Sequence, residues 1–256
     1  MTRYCEGPTK NPNIAIVGEA PAITEIKFGR PFVGADGRQL DELLSKAGLN
    51  RPDIFITNVI HEYVQPNSID GWVRLGSNRR VQYSAKFKEY MLALQEELME
   101  VNPNVIVPLG NPALFAVTGL FGITRWRGSI LSACFNSKQK VIPTIHPGAI
   151  RKDYLNSHLI LRDFQLIARE STFPDIVLPR RRMVINPSFY DSISFLEECM
   201  SYEVVALDIE VSRDQVSCIS FAFDENNTIS IPFFTDRGDD YFTIDEEREI
   251  WEKIAK

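Results

Sequence analysis

The stretch that decides the fold is NIAIVGEAPAITEIKFGRPFVGADGRQL, which runs from Asn13 to Leu40. Its first six residues, Asn13 to Gly18, form a short apolar run bounded by turn-forming residues, which is typical of a buried strand. A segment rich in Gly and Pro follows, and leucines with helical spacing begin at Leu40. A buried strand that leads through a turn into a helix is typical of parallel α/β sheets.

Strands and helices alternate outward from this stretch. The apolar pattern predicts three more buried strands, at Asp53–Ile60, Val105–Leu109 and Val141–Ile145. Helical spacing predicts helices at Arg38–Ala47, Ala85–Val101, Pro112–Thr118 and Asn156–Glu170. Short apolar strands separated by helices predict a three-layer α/β/α fold with a central parallel sheet.

The composition changes after this region. Residues 173–187 contain three prolines and the basic run Arg180–Arg182, which is typical of a linker, so we predict domains at residues 1–172 and 188–256. Up to Arg182 the chain has 23 Lys and Arg against 17 Asp and Glu, a net charge of +6; the remainder has 5 against 17, a net charge of −12. This asymmetry indicates two units with different partners, and the basic one is suited to phosphates.

The second domain is predicted to be a partial α/β unit. A helix is expected at Ser188–Met200, and strands are expected at Val204–Asp208, Val216–Phe223 and Thr228–Phe234. The chain ends within another helical pattern, Ile244–Ala255, so we expect a truncated domain.

Several classes of protein are disfavoured by the sequence. Apolar runs fall short of the ~20 residues that span a bilayer, and the N-terminus has no apolar signal core, so we expect a cytoplasmic protein without membrane contact. The scattered Cys5, Cys134, Cys199 and Cys218 are expected to be reduced and mostly buried. A nucleotide-binding enzyme or serine hydrolase is disfavoured because their glycine-rich motifs are missing.

Four side chains near predicted strand ends suit the removal of a base from DNA. The amide of Asn58 can read the edge of a uracil, because it donates and accepts hydrogen bonds. The ring of Phe32 can stack on an extruded base. His146 can stabilise the anionic oxygen of the departing base, and Glu19 can orient the attacking water. Strand ends of a parallel sheet share one edge, so these side chains are expected to meet in one crevice.

Five segments in order resemble the uracil-DNA glycosylase superfamily, and within it the family 4 branch. These segments are GEAPAITEIKFGRPFVGADGRQL (Gly18–Leu40), TNVI (Thr57–Ile60), VIVPLGNPAL (Val105–Leu114), ITRWRG (Ile123–Gly128) and PTIHPGAIR (Pro143–Arg151). The resemblance spans nearly all of the first ~170 residues. It implies a uracil-DNA-glycosylase-like fold for the first domain and DNA as the partner.

Residue by residue, the resemblance implies catalytic roles for Glu19 and His146. It implies substrate-binding roles for Ala20, Pro21, Phe32 and Asn58, and DNA-binding roles for Arg127, Pro147, Gly148 and Arg151.

The sequence departs from family 4 in its cysteines. That family usually holds a four-cysteine iron–sulfur cluster, whereas here only Cys5 lies near the expected N-terminal pair, and Glu62 stands at the third position. We therefore expect no cluster and no cofactor in the first domain. The family's GEAPG reads GEAPA, ending in Ala22, and Ile26 follows Glu25 where an acidic pair is usual.

A second resemblance covers roughly the last 70 residues. The segment VALDIEVSRDQVSCISFAFDENNTISIPFF resembles the first motif of the DEDD 3′–5′ exonucleases attached to family A DNA polymerases, which have a ribonuclease H-like fold. Asp208 and Glu210 would then hold Mg²⁺ in a complete site. The chain ends before the family's later motifs, so no exonuclease activity is expected from it alone. A glycosylase-like domain ahead of this motif resembles the polymerases of some large bacteriophages, which implies the remaining polymerase as a partner and the host cytoplasm as the location.

Three hypotheses for the first domain stay open: an active glycosylase for uracil or a modified uracil, a non-catalytic reader of template bases, and a docking module. Structural roles also stay open for the individual residues. Glu19 could cap a helix or loop, Phe32 could be a core residue and Asn58 could hold a turn. His146 could be a structural histidine, and Arg127 and Arg151 could be solvated charges. Asp208 and Glu210 could belong to an exposed strand end.

Overall fold

The computed structural model describes residues 4–64, 72–76, 80–178, 180–212 and 214–256. The chain divides into two compact units, Met1–Val177 and Leu178–Lys256. Pro179 of the predicted linker lies outside the described residues.

The first unit is built on a five-stranded sheet and a separate two-stranded one. Its strands are β1 (Ile14–Gly18), β2 (Phe55–Asn58), β3 (Val73–Leu75), β4 (Val81–Tyr83), β5 (Val105–Pro108), β6 (Leu131–Ser132) and β7 (Lys140–Val141). The larger sheet has the order β2-β1-β5-β7-β6, with β6 antiparallel to β7 and the other pairs parallel. The strands β3 and β4 form the antiparallel pair.

Among the residues described in this unit, six helices accompany these strands. They are α1 (Ile23–Phe28), α2 (Ala35–Lys46), α3 (Ala85–Val101), α4 (Asn111–Thr118), α5 (Ile123–Trp126) and α6 (Asn156–Glu170), with 3₁₀ helices at Arg51–Asp53 and Pro147–Arg151. Within the described ranges, no helix is long and apolar enough to cross a membrane.

The helices form layers on both faces of the sheet. Because side chains alternate along a strand, β1 sends Ala15 and Val17 into one apolar cluster and Ile14 and Ile16 into another. The first cluster includes residues of α3 and α4, and the second includes residues of α2 and α6. The predicted three-layer α/β/α fold with a mostly parallel central sheet is thereby confirmed.

The strand predicted at Val141–Ile145 is wrong in extent. Only Lys140–Val141 forms a ladder with β5, and Thr144 makes an isolated bridge to Leu109. Pro143 lies between them and lacks the N–H that a continuous ladder would need. His146 consequently lies in a loop beyond a short strand.

The described part of the second unit, residues 178, 180–212 and 214–256, forms one four-stranded sheet and two helices. Its elements are β8 (Arg182–Ile185), α7 (Phe189–Cys199), β9 (Ala206–Ser212), β10 (Gln215–Ala222), β11 (Asn227–Pro232) and α8 (Ile244–Ile254). The strand order is β8-β11-β10-β9, and the core includes Phe195, Ile219 and Ile250. The strand β8 falls within the predicted linker and pairs in parallel with β11. The predicted domain boundaries and the exonuclease assignment stay predictions.

Candidate active site

A cavity of about 330 Å³ lies at the carboxyl ends of β1 and β2. Its volume is at the lower end of the range for small-molecule sites, about 300–1,000 Å³. Six of the predicted site residues line it: Glu19, Ala20, Phe32, Asn58, His146 and Arg151. The structure therefore brings together an acid, an aromatic ring, an amide and an imidazole that are distant in sequence.

Phe32 provides an aromatic wall of this cavity. Its side chain is buried, and the ring centroid lies 5.8 Å from that of His146 at an interplanar angle of 32°. A Cβ added at Gly18 would come within 2.8 Å of two carbons of the Phe32 ring. The absence of a side chain at Gly18 is therefore what lets the ring lie against the end of β1.

Asn58 is the last residue of β2 and pairs in register with Gly18. Only 2% of the residue is exposed. Its Nδ2 has no hydrogen-bond partner within the part of the chain that the structure describes. Buried polar groups are normally paired, because leaving one unpaired costs free energy. An unpaired amide donor beside a cavity indicates a position for the acceptor of a ligand.

His146 precedes the 3₁₀ helix Pro147–Arg151 and caps it. Its Nδ1 accepts a hydrogen bond from the backbone N–H of Gly148 at 3.1 Å. Burial lowers the pKa of His146, Asp36 opposes that shift, and Arg151 adds to it. The lowered pKa favours the neutral ring, and the accepting Nδ1 places the remaining proton on Nε2.

Glu19 directly follows β1 and lines the cavity with its side chain partly exposed. Its backbone carbonyl accepts from the N–H of Ile60 at 3.0 Å, just as the carbonyl of Gly18 accepts from Val59. These bonds extend the pairing of β1 and β2 by one step. The carboxylate is therefore carried by backbone fixed to the sheet.

Two further acids line the cavity that the sequence reasoning did not select. The carboxylate of Glu25 accepts from the backbone N–H of Ala22 at 2.6 Å. Burial raises the pKa of Glu25, against backbone hydrogen bonds from Ala22, Phe32 and Val33. Asp36 forms an ion pair with Arg151. The sequence signal for Glu25 is its position three residues after the N-cap Ala22, where an acid can accept from the backbone N–H of the N-cap residue.

The remaining predicted contact residues lie in different surroundings. Pro21 and Pro147 are buried, and neither belongs to the cavity wall that contains Ala20. A Cβ at Gly148 would lie 2.9 Å from Oδ2 of Asp36. Gly148 therefore allows the 3₁₀ helix to approach the start of α2.

Arg127 lies in an ion pair with Asp163 on α6. Its Nε and Nη2 bind the two carboxylate oxygens at 3.0 and 2.6 Å, and Nη2 also donates to the carbonyl of Leu159. Asp163 accepts a further bond from the hydroxyl of Thr144 at 2.6 Å. A DNA phosphate would have to compete with these contacts, and the predicted DNA-binding role of Arg127 stays a prediction.

Comparison with known protein families matches residues 5–165 to the uracil DNA glycosylase superfamily. The chain belongs to this superfamily. The match covers more than half of the chain and contains every residue of the cavity named above.

Curated relatives of this glycosylase-family chain include type-4 uracil-DNA glycosylases. The Thermotoga maritima protein is 35% identical over 158 residues, which are 59% of this chain and 74% of the relative. The Archaeoglobus fulgidus protein is 35% identical over 156 residues, 58% of this chain and 72% of the relative. A DNA polymerase of Bacillus phage SP01 is 25% identical over 161 residues, which are 62% of this chain and 16% of the polymerase.

The iron–sulfur cluster that the family 4 resemblance implies does not fit this glycosylase-family chain. Such a cluster needs four thiolates around one point. Cys199 and Cys218 belong to the second unit, and the described residues contain no group of three or more His, Cys, Asp or Glu side chains that could hold a metal ion. Glu62, at the third cysteine position, forms an ion pair with Lys86.

The four cysteines are free thiols. The expectation that most of them are buried is wrong. Cys199 alone is buried, Cys134 is exposed, and Cys5 and Cys218 are intermediate. Cys134 lies two residues after the edge strand β6, and its side chain is exposed there.

Asp208 and Glu210 lie in the second unit, on the edge strand β9. They are two residues apart on one strand, so their side chains point to the same face. Their register partners on β10 are Ser220 and Cys218. Both are exposed, and their role as metal ligands stays a prediction.

Proposed function

We propose that this chain is a DNA glycosylase that hydrolyses the N-glycosidic bond of uracil in DNA. The observation that carries the proposal is the convergence of Glu19, Phe32, Asn58 and His146 on one cavity, with an amide donor of Asn58 unpaired. Groups that line one cavity can surround a base only after it has left the duplex, so the target nucleotide leaves the stack first.

Recognition of the base falls to Phe32 and Asn58. The ring of Phe32 stacks on the extruded base, an interaction worth about 1–3 kcal/mol. The Asn58 Nδ2 donates to a carbonyl oxygen of uracil, which removes its unpaired state. An exocyclic amino group at the same place would meet a donor with another donor, and so cytosine is disfavoured.

Bond cleavage falls to Glu19 and His146. A water oriented by Glu19 attacks C1′ of the deoxyribose and gives up a proton to the Glu19 carboxylate, while the C1′–N1 bond breaks and its electron pair leaves with the base. The neutral imidazole of His146 donates its Nε2–H to the uracil oxygen where negative charge develops. The neutral imidazole stabilises this anion through its hydrogen bond alone. The reaction therefore does not require the ring to be protonated first.

DNA binding is supported by the charge of the chain. Residues up to Arg182 carry a net charge of +6, which favours a polyanion. Arg151 lines the cavity with more than half of its side chain exposed, although it is paired with Asp36. We assign the 3₁₀ helix Pro147–Arg151, which contains Gly148, to the DNA groove.

The test is incubation with uracil-containing single- and double-stranded oligonucleotides, followed by alkaline cleavage of the abasic product. Excision that disappears in both Glu19→Ala and His146→Ala supports the proposal. The matched control is Glu42→Gln, an exposed carboxylate paired with Lys46 on α2, which should retain full activity. Uracil-dependent binding without cleavage would favour the reader hypothesis, and neither binding nor cleavage would favour a docking module.

We also propose that the second unit is the start of a polymerase-type 3′–5′ exonuclease domain, partnered by the remainder of a polymerase. The similarity to the phage SP01 polymerase supports the polymerase context, and the common face of Asp208 and Glu210 supports the exonuclease assignment. Two carboxylates alone hold Mg²⁺ weakly, so we expect no exonuclease activity from this chain by itself.

The metal proposal is tested by titrating the full chain with Mn²⁺ and following paramagnetic broadening of backbone amide resonances. Broadening confined to β9 and β10, and lost in Asp208→Asn, supports a half-formed metal site. Broadening that is unaffected by Asp208→Asn would contradict it. The control variant is Asp224→Asn, because that acid lies in a turn of the same unit.

A further inference from the structure

We infer that Arg51 is a positioning residue for uracil excision, which acts by holding the backbone of Phe32 in the conformation that presents its ring to the cavity. This inference rests on the proposed function. Arg51 lies outside the cavity wall, in the 3₁₀ helix that precedes β2. Its effect on the reaction must therefore pass through other residues.

Phe32 adopts a backbone conformation that needs external support. Its φ is +51°, in the left-handed region that a bulky residue other than glycine rarely occupies. Such conformations persist where the surrounding contacts fix them, and they concentrate at functional sites. Residues that bind the peptide groups of Phe32 therefore determine where its ring lies.

Arg51 supplies two of these contacts. Its Nη1 donates to the carbonyl of Phe32 at 3.0 Å, and its Nη2 donates to the carbonyl of Pro31 at 2.7 Å. A guanidinium presents these donors in a rigid planar fork, so two successive carbonyls are fixed at once. Lysine has no such fork.

The guanidinium is itself held in place from its other side. Its Nε donates to Oε1 of Glu6 at 2.5 Å, and Nη1 also donates to Oδ1 of Asp41 at 2.8 Å. The side chains of Arg51 and Glu6 are 16% and 14% exposed, so solvent competes little for this pair. Arg51 is therefore a fixed support and not a mobile surface charge.

The same backbone also lies close to Glu25 and Gly37. The backbone N–H groups of Phe32 and Val33 lie near the carboxylate of Glu25, where they act against the burial that raises the pKa of that carboxyl. A Cβ at Gly37 would overlap the carbonyl of Phe32, so α2 packs directly on this peptide. Together with the two donors of Arg51, these contacts hold the backbone of Phe32, whose ring lies close to both Gly18 and His146.

The test is a double-mutant cycle of Arg51→Lys and Phe32→Ala, measured as single-turnover excision of uracil. Arg51→Lys keeps the charge but loses the fork, and a misplaced ring should slow excision between about 10-fold and about 100-fold. In the Phe32→Ala background the same change should have an effect below about 2-fold, because its only route to the base is gone. Equal losses in both backgrounds would overturn the inference.

The matched control is Arg30→Lys. Arg30 also binds Glu6, at 2.9 Å, but its side chain is 61% exposed. Excision by this variant should equal that of the wild type. A loss as large as that of Arg51→Lys would assign the effect to Glu6 and contradict the role of the Phe32 and Pro31 carbonyls.

A second readout separates this inference from the proposed function. The imidazole protons of His146 lie near the Phe32 ring, and their NMR shifts report the ring position without any reaction. These shifts should move in Arg51→Lys and stay fixed in Arg30→Lys. If the wild type excises no uracil, the proposed function fails while the shifts still decide the role of Arg51. Unchanged shifts in Arg51→Lys would overturn it.

Discussion

The backbone N–H of Gly148 donates to Nδ1 of His146 at 3.1 Å, and this contact decides which form of the imidazole the cavity contains. An Nδ1 that accepts a hydrogen bond carries no proton, so the neutral ring keeps its proton on Nε2. Protonation of Nδ1 would turn this contact into an encounter of two donors. The hydrogen bond and the burial of the ring therefore act in the same direction.

The first prediction concerns pH. Burial lowers the pKa of His146 below its ordinary value near 6.5, so the ring stays neutral as the pH falls through 6.5. Protonation of His146 should therefore not affect the rate of single-turnover excision between about pH 8 and about pH 6.5. A loss of rate caused by its protonation should begin below about pH 6.5. Nitrogen-15 shifts of the ring should show a protonated Nε2 across this range. An imidazole that titrates above pH 6.5 would contradict the prediction.

Stability should follow the same group. The unfolded chain takes up a proton at His146 near pH 6.5 and the folded chain does so only at lower pH, so the free energy of unfolding falls as pH drops below 6.5. The contribution is at most about 1.4 kcal/mol per pH unit. Urea denaturation at several pH values should show a smaller fall in His146→Gln than in the wild type.

The second prediction is that Gly18→Ala strongly reduces uracil excision while the sheet remains intact. The new Cβ would overlap Oδ1 of Asn58 and approach the Phe32 ring to 2.8 Å. Displacement of either group by about 1 Å should reduce kcat/KM for uracil excision about 100-fold. Far-UV circular dichroism should remain that of the wild type. Full activity in a folded Gly18→Ala variant would show that neither group lies close to the reacting base.

The sequence predicted the long helices well and the short strands less well. The predicted helices Ala85–Val101 and Asn156–Glu170 match the bounds of α3 and α6. Local signals define such helices, as where the hydroxyl of Ser84 accepts from the N–H of Phe87. The strand predicted at Val141–Ile145 was too long, because strand length depends on partners that are distant in sequence.

The candidate site shows the same division. Residues with distinctive chemistry at strand ends, such as Asn58 and Glu19, were selected from the sequence, and the structure places both at the cavity. Arg51 was not selected, because its partners depend on the left-handed conformation of Phe32 and on a contact 19 residues away in sequence. The ion pair of Arg127 was not predicted for the same reason, because its partner Asp163 lies on a separate helix.

The third prediction is that Asn58→Leu stabilises the fold and abolishes excision. The Nδ2 of Asn58 is buried and has no partner among the described residues, and such a group costs about 1–3 kcal/mol. An apolar side chain of similar size removes that cost, so the free energy of unfolding should rise by about 1 kcal/mol. Urea denaturation measures the gain, and the oligonucleotide assay measures the loss. A destabilised variant that still excises uracil would contradict both halves.

The fourth prediction separates the two roles open to Arg127. The carboxylate of Asp163 is buried, and Arg127 binds both of its oxygens. Removal of one partner of a buried ion pair typically costs about 3–5 kcal/mol, and solvent access to Arg127 places Arg127→Ala near the lower figure. Burial already raises the pKa of Asp163, so loss of the guanidinium should raise it further and make the variant less sensitive to acid than its lower stability alone implies.

The measurement is urea denaturation together with DNA affinity as a function of salt. A structural role predicts the loss of stability with an unchanged slope of log affinity against log salt concentration. A phosphate contact predicts the opposite, with stability retained and the slope reduced by about 1. The comparison variant is Arg151→Ala, whose exposed guanidinium beside the cavity should reduce the slope with little loss of stability. Wild-type stability and a reduced slope in Arg127→Ala would assign Arg127 to DNA. Loss of a phosphate contact lowers the salt dependence of the affinity and leaves the free energy of unfolding unchanged.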